Sequence, residues 1–182
     1  PYTAVLEEEK MPGAVWFPGA RINYAEHVLR GDGARSAFVA YSQTRPKQEW
    51  TVDELRAEVG RLRNGLIEAG VGVGDRVAAY LPNIPETIAA ELAVASLGAI
   101  WATCAPEFGA SSAIDRLSII EPKVLFVVGG YRYGRKEIDR RAEVAEIAAA
   151  IPSLEHLVEV AYPEHVVEGA TRYEDYGRGG AG

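Results

Sequence analysis

Between Thr51 and Val160 the chain alternates short apolar runs with longer amphipathic segments, and this alternation limits its possible folds more than any other feature. The apolar runs are Arg76 to Leu81, Ala99 to Thr103, Lys123 to Val128 and Leu157 to Val160, each of strand length. The intervening segments read as helices over Thr51 to Gly70, Asn83 to Leu97, Gly109 to Ile120 and Arg135 to Ile151. Strand and helix in strict alternation, joined by short loops, describe a parallel sheet covered on both faces through right-handed crossovers. The expected class is α/β, doubly wound, with a mostly parallel sheet.

Local chemistry supports these boundaries. Thr51 followed by Glu54 forms a capping box, and Leu55, Val59, Leu62, Leu66 and Ile67 recur at helical spacing up to a left-handed stop at Gly70. Pro85 suits the first turn of the next helix, and Pro122 ends the one after it. Upstream, Asn23 and Glu26 suggest a second capping box. It would open a short helix presenting Tyr24, Ala25 and Val28, with Trp16 and Phe17 as aromatic anchors. Ala37 to Tyr41 reads as a strand, Gln43 to Gln48 as a turn around Pro46, and Glu49-Trp50 as a short edge strand. The expected division is an arm with a short helix (residues 1–35), an α/β subdomain (36–162) and a flexible, truncated tail (163–182) ending in Gly177-Arg178-Gly179-Gly180-Ala181-Gly182. Both ends read as cut, or at least as unanchored.

Several function classes are set aside by composition. A formal net charge of −7 argues against nonspecific nucleic-acid binding. The longest apolar stretches are of strand length or carry charges at helical intervals, so no membrane partner is expected. No basic-then-apolar leader is visible, and Cys104 is the single cysteine. An internal disulfide is thereby excluded, and a reducing, cytoplasmic location is expected. His27, His156 and His165 are scattered, so no metal site is expected. Glu107 and Asp115 have no partner base, and Cys104 has no neighbouring histidine to activate it, so no catalytic residue is assigned. Gly72-Val73-Gly74 precedes a strand and lacks a third glycine, so it reads as a helix-to-strand turn.

The stretch Val128 to Arg141, "VGGYRYGRKEIDRR", stands out in this acidic chain. It follows an apolar strand, where open α/β sheets gather their ligand-binding loops. Gly129 and Gly130 would let the backbone turn sharply and approach a ligand. A helix beginning near Arg135 would place Arg132, Arg135 and Lys136 at its positive end, where each cation is unfavourable by roughly 0.3–1 kcal/mol unless an anion visits. Arginine's planar fork suits a phosphate. Glu137 and Asp139 supply local counter-charges, so the residues alone leave two readings open: a phosphate site, or a solvated helix start.

Four stretches, "WFPGARINYAE", "GDRVAAYLPNIPETIAAELAVASLGAIWATCAPEFG", "DRLSIIEPKVLF" and "GYRYGRKEIDRR", together resemble the N-terminal part of the acetoacetate–CoA ligases (acetoacetyl-CoA synthetases). These are a branch of the adenylate-forming acyl-CoA synthetases, and the resemblance runs from about Trp16 to Val160. It implies a parent enzyme that joins acetoacetate to ATP with Mg2+ and then passes the acyl group to coenzyme A. In related synthetases an R-x-G-R element after a strand holds the 3′-phosphate and adenine end of CoA. Here that element is Arg132-Tyr133-Gly134-Arg135, with Lys136 beside it. The family's Ser/Thr/Gly-rich phosphate loop, its acidic ATP motifs and its catalytic lysine have no counterpart in this sequence. The resemblance therefore implies an inactive subdomain whose partner is the remainder of the enzyme. A stand-alone module binding CoA or an adenine nucleotide is the alternative, as is part of another short-chain acyl-CoA synthetase. A phospho-accepting signalling domain would need clustered aspartates at strand ends, and the sequence lacks them.

Overall fold

Residues 2–162 and 165–179 are described by a computed structural model. An arm carries β1 (Leu6–Glu8), β2 (Val15–Trp16) and α1 (Tyr24–Val28). A hairpin follows, made of β3 (Ser36–Ala40) and β4 (Gln48–Thr51). The main body runs through α2 (Val52–Glu68), β5 (Arg76–Tyr80), α3 (Pro85–Ser96), β6 (Ile100–Cys104), α4 (Ala110–Leu117) and β7 (Val124–Val128). It ends with β8 (Gly130–Tyr133), β9 (Lys136–Asp139), α5 (Arg141–Ala150), β10 (His156–Val160) and β11 (Thr171–Arg172).

Five strands in the order β11-β10-β7-β5-β6 form the central sheet, and every pairing is parallel. All five residues of β7 are buried, as expected of a central strand covered on both faces. Its side chains alternate. Val124, Phe126 and Val128 join Val77, Ala79, Val158 and Val160 in one core with α2 and α3. Leu125 and Val127 join Ala78 and Tyr80 in a second core with α4 and α5. The chain steps from β5 outward to β6, then crosses back past β5 to β7. The carboxyl ends of β5 and β7 thus flank the point where strand order reverses, which is where such sheets open a crevice for ligands.

The α2 capping box forms as expected: Thr51 Oγ1 accepts from Glu54 N at 3.2 Å, and Glu54 Oε2 accepts from Thr51 N at 2.7 Å. Leu55, Val59, Leu62 and Leu66 are buried, whereas Ile67 is half exposed. The 72–74 turn closes on the side chain of Asp75, which accepts from Gly72 N at 2.8 Å.

Several expectations need correction. The segment from Arg135 to Ile151 is not one helix: β8 and β9 form an antiparallel hairpin, and α5 starts only at Arg141. In α1 it is Ala25 that is buried, while Tyr24 and Val28 face outward. Asn23 Oδ1 accepts from Glu26 N at 3.1 Å, but Glu26 turns to Arg30 instead of completing the box. Nor do Trp16 and Phe17 anchor the arm: they are 59% and 44% exposed, and Phe17 packs on Trp16 and Tyr2 of the same arm.

A further correction concerns the tail. Val167, Tyr173 and Tyr176 are buried, and β11 extends the sheet, so residues 165–179 are part of the packed body. Gly180, Ala181 and Gly182 lie outside the described residues. Arg61 of α2 holds this segment: its Nη1 donates to the carbonyls of Tyr173 (2.7 Å) and Tyr176, its guanidinium lies 4.8 Å from the Tyr173 ring centre, and Glu58 pairs with it at 2.6 Å. The close approach requires Gly65. A Cβ there would sit 2.7 Å from two ring carbons of Tyr176 and 2.8 Å from Gly177 N. Glycine to alanine inside a helix ordinarily gains up to about 1 kcal/mol. Here Gly65→Ala is expected to destabilise by about 1–3 kcal/mol through overpacking, measurable as a lowered midpoint in urea unfolding.

Among the described residues no helix is long and apolar enough to cross a membrane, and no cluster of His, Cys, Asp or Glu could hold a metal ion.

Candidate functional site

The basic cluster sits on the β8–β9 hairpin, which rises directly from the carboxyl end of β7. Tyr133 and Lys136 pair across a two-residue turn of Gly134 and Arg135. Gly134 has φ +60°, the left-handed value that a type II′ hairpin turn asks of its first central residue. Register separates the cations. Arg132 pairs with Glu137 and shares its face of the hairpin; Lys136 pairs with Tyr133 on the opposite face, alongside Tyr131 and Ile138. The structure therefore brings Arg132 and Arg135 to the hairpin tip and places Lys136 on the other face from Arg132.

Arg132, Arg135 and Lys136 are exposed and make no ion pair among the described residues. Arg132 Nε donates to Gly134 O at 3.2 Å, which bends the side chain along the turn. Arg140 and Arg141 are engaged elsewhere. Arg141 pairs with Asp139 at 2.6 Å, and the Asp139 carboxylate also accepts from Arg141 N at 3.0 Å. Those bonds from Arg141 hold the Asp139 carboxyl well below the usual carboxylate range. The first helical N–H of α5 is thus already taken by Asp139, and the cations at 132, 135 and 136 do not stand at a helix N-terminus as expected from sequence.

The glycine pair also serves a different purpose from the one expected. Neither Gly129 nor Gly130 has a positive φ. A Cβ at Gly129 would lie 2.1 Å from His165 O, and one at Gly130 2.4 Å from the His165 ring and 2.5 Å from Ile138 O. Residue 165 passes over the strand end where a ligand was expected.

Three residues that sequence reasoning missed fix the base of the hairpin. Tyr131 is buried beneath it. Tyr80, at the end of β5, is fully buried with its hydroxyl 2.9 Å from Pro106 O and 2.5 Å from Phe108 O, in the loop after β6. Burial pushes its phenol up to about 12, so it remains a hydrogen-bond donor at neutral pH. Arg140 Nε donates to the same Pro106 carbonyl at 2.9 Å. The alternation of Tyr131, Tyr133 and, across the turn, Ile138 was a strand signal that the flanking charges obscured. Cys104 is buried nearby, and burial pushes its thiol up, away from nucleophilic use. An open hollow of about 710 Å3 between α5 and residues 166–168 is lined by none of Arg132, Arg135 or Lys136. The candidate site is a protruding hairpin that presents two guanidinium groups beside its turn.

The model of the AMP-binding enzyme family matches residues 25–176. The chain belongs to the AMP-binding enzymes. Within that family it is similar to an acetoacetyl-coenzyme A synthetase of Rhizobium meliloti (strain 1021), 43% identical over 148 residues that make up 81% of this chain and 23% of that protein. An acetoacetyl-CoA synthetase of Danio rerio is 36% identical over 165 residues, 88% of this chain and 24% of the relative. Among solved structures, the acetoacetyl-CoA synthetase from Streptomyces lividans superposes with a TM-score of 0.90 at 44% identity, over 98% of this chain and 28% of that one. The chain spans about a quarter of the length of the curated relatives it matches, and it corresponds to their N-terminal part.

Proposed function

We propose that this chain is the N-terminal subdomain of an acetoacetyl-CoA synthetase, an enzyme that adenylates acetoacetate with ATP and Mg2+ and then transfers the acyl group to coenzyme A. Within it, Arg132 and Arg135 take the 3′-phosphate of CoA, with Lys136 as a neighbouring cation. One observation carries this reading: two guanidinium groups adjoin one hairpin turn and form no ion pair with a carboxylate among the described residues, while Arg140 and Arg141, just beyond, are both paired. The donor set fits the group. Arg132 uses only Nε within the hairpin, leaving its terminal nitrogens for a bidentate contact. Lys136 fits less well, because the register turns it to the other face. The similarity to acetoacetyl-CoA synthetases supports the choice of acyl group. No phosphate loop, ATP-binding acidic motif or catalytic lysine occurs in these 182 residues, so the reading gives this chain binding and not bond-making.

Calorimetric titration with CoA and with 3′-dephospho-CoA tests it. The chain is expected to bind CoA the more tightly, and Arg132→Ala/Arg135→Ala to bind both ligands alike, with CoA affinity down roughly tenfold or more. Equal binding of the two ligands by the unaltered chain would overturn the phosphate assignment. So would discrimination that survives in the variant. No binding at millimolar CoA would remove the site from this chain.

A further inference from the structure

A two-stranded hairpin is marginal by itself and takes its pose from whatever it packs on. Within β8–β9 only Gly130, Tyr131 and Ile138 escape full exposure, so few of its own side chains can set the angle at which it leaves the sheet. Arg140 stands at its exit, as the N-cap of α5, with backbone N donating to Gly129 O at 2.8 Å. That cap is a place where Ser, Thr, Asp or Asn is preferred and a cation is disfavoured. The side chain makes no cap bond. Instead it reaches to the loop after β6, 34 residues earlier, with Nε donating to Pro106 O. Nη1 pairs with Glu143 of α5, Nη2 lies 3.5 Å from the Tyr131 hydroxyl, and the guanidinium sits 5.6 Å from the Tyr131 ring centre. Only 17% of the side chain is exposed. Pro106 O is itself shared with Tyr80 of β5. One guanidinium therefore joins the hairpin, α5 and the β6 loop, and through Pro106 the end of β5. Three directions at once are what the planar arginine fork provides and a lysine ammonium on a flexible stem does not.

We infer that Arg140 is a positioning residue: it sets the pose of the β8–β9 hairpin and thereby where Arg132 and Arg135 meet a phosphate. The second half of this rests on the CoA reading above; the first half does not. In this reading Arg140 acts through the hairpin and not on the phosphate.

Amide hydrogen exchange and CoA titration of the chain, with Arg140→Ala and Arg140→Lys, separate the possibilities. In Arg140→Ala, exchange over residues 130–139 is expected to rise roughly tenfold while the amides of β5 and β7 hold their protection. The preference for CoA over 3′-dephospho-CoA is expected to fall at least about fivefold, and Arg140→Lys to recover part of both effects. Unchanged exchange in the hairpin would overturn the inference. A rise spread equally over the central strands would also overturn it, marking a merely structural residue. So would a loosened hairpin that still discriminates the two ligands in full. If the unaltered chain shows no preference between the ligands, the CoA reading fails, and the exchange pattern alone decides whether Arg140 holds the hairpin.

Discussion

Replacing Tyr176 with alanine is expected to cost about 3–5 kcal/mol, the range for deleting a buried aromatic ring, whereas Tyr176→Phe is expected to be neutral or stabilising. The ring is 8% exposed and meets Phe126 edge-on, centroids 5.8 Å apart at 84°. Phe126 is fully buried on the central strand, so the contact ties the end of the chain to the middle of the sheet. Truncation would empty the space between Phe126 and Gly65, and neither neighbour can move in: one is held in the sheet and the other has no side chain. The hydroxyl is buried with no hydrogen-bond partner among the described residues, and burial pushes its ionisation well above the ordinary tyrosine range. Removing it discards an unsatisfied polar group and leaves the packing intact. Urea unfolding of the two variants checks both signs. A cost under about 1 kcal/mol for the alanine variant would mean that residues 165–179 are a loose tail after all.

The second large effect is asymmetric. Glu159, on β10, is the one charged side chain among the described residues with no exposure at all. Its Oε1 accepts from Val167 N at 3.0 Å and its Oε2 from Arg172 Nη1 at 2.8 Å, fastening β11 and the segment before it to the sheet. Arg172 is 43% exposed and can return to solvent if its partner is lost. Glu159→Ala is therefore expected to cost about 2–3 kcal/mol, mostly for the stranded Val167 N–H and the lost charge-assisted bond. Arg172→Ala should cost more at neutral pH, because it leaves a fully buried carboxylate without its cation. Denaturant midpoints at pH 7 compare the two. The reverse order would mean that Arg172, not Glu159, bears the desolvation.

Local pattern was enough to reveal four of the five strands of the sheet. The five-residue apolar run of β7 could only be a strand buried on both faces, and Thr51 with Glu54 marked the start of α2 to the residue. These features depend on neighbours within a turn or a strand, and chain order alone then implies parallel strands with helices between. Arg132 and Arg135 were equally visible, because a cluster of cations in an acidic chain needs no structure to be noticed.

What surrounds them was not visible, for a common reason. Lys136, Glu137 and Arg141 are good helix formers, so the run after Arg135 reads as a helix. It becomes a strand only because Gly130 to Tyr133 pairs back on it and buries Tyr131 against the body. Tyr173 and Tyr176 carry no periodicity at all, and their place is set by Arg61 and Gly65, more than 100 residues earlier. Arg140 reads as one more surface charge until the crossover from β6 to β7 sets Pro106 beside it. Burial pattern and capping are encoded within a few residues and survive reading one residue at a time. The pose of the hairpin and the docking of the last segment depend on which surfaces the strand order brings together, and that is decided only when the sheet closes.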